Sequence, residues 1–64
     1  MATISTDEKR YRLHLAALAT VRMEGIHKPT EDNLAAFEIY MNGAREAGIT
    51  AAEIEAMAKT LRNS

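Results

Sequence analysis

Sixty-four residues bound this chain to one small domain, because so short a chain buries only about 60% of the surface its unfolded form exposes and cannot support two cores. It contains no cysteine, and its two histidines, His14 and His27, match no metal-ligand spacing, so neither disulfides nor a metal can staple that core. Eight basic residues against nine acidic ones, a formal net charge of −1, leave no cationic surplus for holding nucleic acid through its phosphates.

The stretch 1–7 lacks the charged and apolar regions of a secretory signal. The longest apolar run, Leu15 to Ala19, is far too short to cross a bilayer. The expected setting is the cytoplasm, with no membrane partner, and with stability supplied by the chain's own core or by another protein.

Helix signals recur three times. Ser5-Thr6-Asp7-Glu8 reads as a capping box, and no Gly or Pro follows until Gly25, a helix-ending residue that accepts positive φ. The first helix is therefore expected over about 6–24. Gly25-Ile26-His27-Lys28-Pro29 is a connector whose proline disfavours helical geometry at Lys28. Thr30 supplies a second N-cap, with Glu31 and Asp32 in the first turn where carboxylates suit the helix dipole. That helix should occupy about 30–47 and stop at Gly48. Thr50-Ala51-Ala52-Glu53 is a further capping box and opens a third helix over about 50–62. No window reads as a strand, so the fold class is all-α, a small three-helix domain.

The helical faces differ in use. Leu34, Phe37, Tyr40, Met41 and Ala44 form one stripe of the second helix, opposite Glu38, Asn42 and Glu46. Ala51, Ile54, Met57, Ala58 and Leu61 form one on the third. Both are expected to be core. The first helix is apolar on two sides, with Leu13, Ala17 and Val21 along one line and Tyr11, Leu15 and Leu18 along nearly the opposite one. Either a partner covers the second side, making Leu13, Ala17, Leu18 and Val21 candidate interface residues, or the bundle wraps tightly enough to cover both.

No catalytic constellation is legible: there is no Gly-rich phosphate loop and no convincing Ser, His and carboxylate set. Glu31-Asp32 and Glu53-Glu55 sit in first helical turns, where dipole compensation explains them. One segment, Thr20-Val21-Arg22-Met23-Glu24-Gly25, differs. Thr20 and Glu24 are four residues apart and share a helix face. Glu24 is an anion at a helix C-terminus, where the dipole disfavours it. Set among apolar residues, it requires a cation, and Lys28 and Arg10 are the candidates within the chain. Gly25 leaves no side chain beside it. Glu24 is then either a solvated surface acid or a residue that another molecule requires.

Those six residues fit the pattern S/T-x-x-x-E-G/N, and the chain resembles the class I inhibitors of Fic-domain AMP-transferases, the small VbhA-like antitoxins. The similarity extends over about 11–62. It takes in Arg10-Tyr11-Arg12, the Ala-rich approach Ala16 to Ala19, Arg22-Met23-Glu24-Gly25 and the linker proline Pro29. Thr20 stands where serine is commoner, which keeps the hydroxyl. The resemblance implies a 1:1 heterodimer with a Fic-domain AMP-transferase, a toxin or a secreted effector. Glu24 would take the arginine that otherwise binds the γ-phosphate of ATP, with Thr20 close to the same phosphate region. The inhibitor itself would be no enzyme and carry no cofactor, while its partner would use ATP with Mg.

Two other functions are open. The turn Ala47-Gly48-Ile49-Thr50 resembles a helix-turn-helix corner, as in a small DNA-binding regulator, although the helix after it opens with the acidic Glu53 and Glu55. A generic helical interaction module, with Glu24 incidental, is the third reading.

Overall fold

The computed structural model describes residues 4–64, and these form three helices and no strand: α1, Thr6–Glu24; α2, Glu31–Glu46; and α3, Ala51–Arg62. The caps explain the starts. Ser5, in extended geometry, accepts from the Glu8 amide through its hydroxyl at 3.1 Å. Only half of the expected box forms there, because the Glu8 carboxylate accepts instead from Arg12 Nε one turn on, at 3.3 Å. At α2 the box is complete, with Asn33 as the reciprocating residue, and at α3 Thr50 and Glu53 complete another.

The helix ends divide differently from the glycine pattern. Gly25 has φ −84°, so its freedom to adopt a positive φ is not used. Gly48 does use it, at φ 78°. Its amide donates to the Arg45 carbonyl and the Ile49 amide donates to the Ala44 carbonyl, both at 3.0 Å, which is the Schellman closure. The turn also buries Ile49 beside Ala44 in the core. Gly48→Ala is therefore expected to cost about 1 kcal/mol, read as a lower urea midpoint with unchanged slope.

α1 is the centre of the fold. α2 and α3 each pack on α1 and make no packing contact with one another. α2 returns antiparallel to α1: Arg12, near the start of α1, donates to the Gly43 carbonyl near the end of α2 at 2.8 Å. α3 runs back parallel to α1, so that Arg62 in its last turn reaches Glu24 in the last turn of α1. The domain is accordingly flat, 39 × 27 × 16 Å, and its short dimension is little more than one helix diameter.

Alanines make this arrangement possible. Of the seven buried hydrophobic residues, Ala16, Ala17, Ala19, Ala44 and Ala58 are small, and only Ile49 and Ile54 are large. Small side chains on α1 let a neighbour approach on either side. The bundle thus packs a helix on each apolar side of α1, fully burying Ala16 and Ala17 while Leu15 and Leu18 stay half-buried and Tyr11 exposed. The stripes fare unequally. Ile54 and Ala58 are buried with Met57 and Leu61 half-buried, as expected for α3, although Ala51 is exposed. On α2 only Ala44 is buried, while Leu34 and Tyr40 stand 50% and 41% exposed. The expected core stripe of α2 therefore holds at Ala44, with Met41 and Phe37 half-buried, and fails at Leu34 and Tyr40, because α3 does not pack against that helix.

Candidate functional site

Glu24 ends α1, and its carboxylate is held by a guanidinium from α3. Arg62 Nε donates to Glu24 Oε1 at 2.9 Å and Nη2 donates to Oε2 at 2.6 Å, a two-pronged contact using both carboxylate oxygens. The remaining Arg62 nitrogen, Nη1, donates to Glu55 Oε1 at 2.8 Å. The cation that Glu24 requires is therefore neither Lys28 nor Arg10. Arg62 was missed because only the parallel course of α3 brings the two C-termini together. One signal for it lies in the sequence: Arg62 continues the line Ile54–Ala58 at four-residue spacing, so it faces α1 as they do.

The contact also resolves the placement of an anion at a helix C-terminus. Two helices ending side by side present two negative dipole ends, and Arg62 meets both of them together with Glu24. It lies at the surface: the side chains of Glu24 and Arg62 are 49% and 32% exposed. Exposed pairs of this kind add little to stability, so the carboxylate is cheap to detach.

The hydrogen bonds from Arg62 hold Glu24 and Glu55 below the usual carboxylate range, and bonds from the Thr50 amide and hydroxyl do the same to Glu53. In each case the folded chain releases its proton more readily than the unfolded chain. Their stabilising contribution is complete above the ordinary carboxylate value and is lost as pH falls through the lowered one. Thermal melts are expected to be flat from about pH 8 to 6 and to fall below about pH 4.5, with a shallower decline in Glu24→Gln.

Thr20 shares the face of Glu24 but turns its hydroxyl inward, donating to the Ala16 carbonyl at 2.9 Å. Gly25 is open: a methyl built there would meet only the Arg22 carbonyl, at an ordinary 3.5 Å. Of the candidate interface residues, Ala17 has no exposed surface, and Leu13 and Val21 are half-buried against the chain's own core. Ala17 is therefore closed to a partner, whereas Leu13 and Val21 keep part of their surface open. Leu18 differs. With Leu15, Met23, Ile26, Phe37 and Tyr40 it lines an apolar groove between α1 and α2. Tyr11 and Ile39, 60% and 68% exposed, extend apolar surface beyond the groove.

Among the described residues no group of His, Asp or Glu is placed to hold a metal ion, and no helix is long and apolar enough to cross a membrane. The helix-turn-helix resemblance at 47–50 ends at the turn, because α2 and α3 do not pack together as the two helices of that motif do. Compared with protein-family models, with curated proteins and with solved structures, the chain matches none.

Proposed function

We propose that this chain is an inhibitory partner of a Fic-domain AMP-transferase, acting as an antitoxin that sets Glu24 against the arginine needed by the γ-phosphate of ATP. The chain performs no catalysis. It binds the enzyme as a 1:1 heterodimer and denies it one cation.

The observation that carries this reading is the fork between Glu24 and a guanidinium. In the chain's own packing this carboxylate, at the end of α1, accepts from an arginine through both oxygens, which supports the reading. Adenylyl transfer depends on holding the triphosphate in line for attack, and small displacements are expensive there. A carboxylate that captures one phosphate-binding arginine also repels the phosphate it displaced. Thr20 lies one turn before Glu24, with its hydroxyl donating to the Ala16 carbonyl.

Affinity would come from apolar area away from Glu24. The groove around Leu18 and the exposed faces of Tyr11, Leu34, Ile39 and Tyr40 supply it. The test is co-purification with a Fic-domain AMP-transferase encoded beside this gene, followed by an AMP-transfer assay with ATP labelled at the α-phosphate. Retention of the enzyme together with suppressed transfer supports the reading. Absence of a complex at micromolar concentration rejects it.

A further inference from the structure

We propose that Arg62 is a stand-in for the partner's arginine, so that engaging the enzyme exchanges one guanidinium for another at Glu24. The inference rests on the inhibitory role proposed for Glu24 and adds a regulation internal to the chain.

Geometry supports exchange rather than addition. Arg62 donates to both Glu24 oxygens, at 2.9 and 2.6 Å. A second guanidinium cannot take the same two-pronged position, and beside Arg62 it would meet a like charge. The partner's arginine must therefore displace Arg62 to obtain the fork.

Displacement leaves Arg62 provided for. Glu55, two turns earlier on the same helix face, already accepts from Nη1 at 2.8 Å and from Nη2 at 3.5 Å. When Glu24 turns to the partner, Arg62 keeps an anion of its own helix and is not stranded. Glu55 is thus a parking position, and the exchange costs little. Exposure of the pair and the bare flank at Gly25 give an incoming side chain access without unfolding α1.

Loss of Arg62 and loss of Glu55 act in opposite senses, and this sets the experiment. Arg62→Gln removes the rival, so the concentration of chain that half-inhibits AMP transfer should fall, by about two- to fivefold given the modest worth of an exposed pair. Glu55→Gln removes the parking position and concentrates Arg62 on Glu24, so that concentration should rise by about the same factor. If Arg62 merely supported the fold or the orientation of Glu24, its loss would weaken inhibition. Circular dichroism melts of each variant establish that it is folded; should Arg62→Gln unfold, Arg62→Lys keeps the charge without the fork and is expected to lower the half-inhibiting concentration likewise.

Glu24→Gly is measured alongside. Inhibition that survives it removes the proposed role of Glu24 and the exchange with it. Release of transfer by Glu24→Gly, combined with unchanged or weakened inhibition by Arg62→Gln, overturns the exchange alone.

Discussion

If the chain inhibits a Fic-domain enzyme as proposed, Glu24→Gly should leave it bound while raising AMP transfer by the complex by about 100-fold, on the scale of losing or regaining one preorganised charge contact at a reacting phosphate. The separation of binding from inhibition follows from where the two are located. Glu24 sits at the tip of α1, half-exposed and tied only to Arg62. The apolar groove opens between α1 and α2 and is not lined by Glu24, which faces α3, and the exposed aromatic and aliphatic residues of α2 adjoin it. Losing one surface carboxylate removes little apolar contact area. On the proposed mechanism it releases the arginine that positions the triphosphate. Glu24→Gln is the companion variant: it keeps size and helix propensity and removes the charge, so it should also release transfer if the charge is what matters. Full inhibition by both variants, with the complex intact, would falsify the role assigned to Glu24.

The second large effect concerns the fold. Val21→Asp is expected to destabilise the free chain strongly, with a much lower melting temperature, whereas Leu18→Asp should leave its melt nearly unchanged and weaken the complex. Both replace an apolar residue of α1 by an acid, and packing separates them. Val21 is half-buried against the cluster of Ala16, Ala17, Ala44, Ile49, Ile54 and Ala58. A carboxylate there loses apolar burial and stands three residues from the acid at Glu24, for a cost of about 3 kcal/mol. A domain of this length has roughly 3–10 kcal/mol in all. Leu18 lines the open groove between α1 and α2, where a carboxylate can remain hydrated. Far-ultraviolet circular dichroism reports the first effect and co-purification the second. A folded Val21→Asp chain with a normal melt would show that the α1–α3 seam is not what holds the domain.

Much of the local structure was legible from residue types. Thr30, Thr50 and Ser5 mark helix starts because their hydroxyls accept amides that the helix cannot satisfy, and the three helices begin after them. Gly48 marks a stop that requires positive φ, and Gly25 marks a stop that does not. The pairing of apolar lines on opposite sides of α1 announced that this helix would be covered twice. Which surface would cover each side was not announced. The sequence pattern also suggested core along the stripe of α2, and Leu34 and Tyr40 are exposed there instead. Periodicity identifies a face but not its neighbour.

Caps, turns and periodicity act within a few residues, so the chain by itself determined three helices, their bounds, and an acid at the end of the first with a hydroxyl one turn before it. The direction of α3 depends on non-local packing. Alanines on α1 let α2 and α3 settle on separate sides, and the turn that buries Ile49 sends α3 back parallel to α1. Only that arrangement brings Arg62, 38 residues along the chain from Glu24, within hydrogen-bonding distance. A charge pair over such a separation depends on the packing of everything between, and no local preference encodes it.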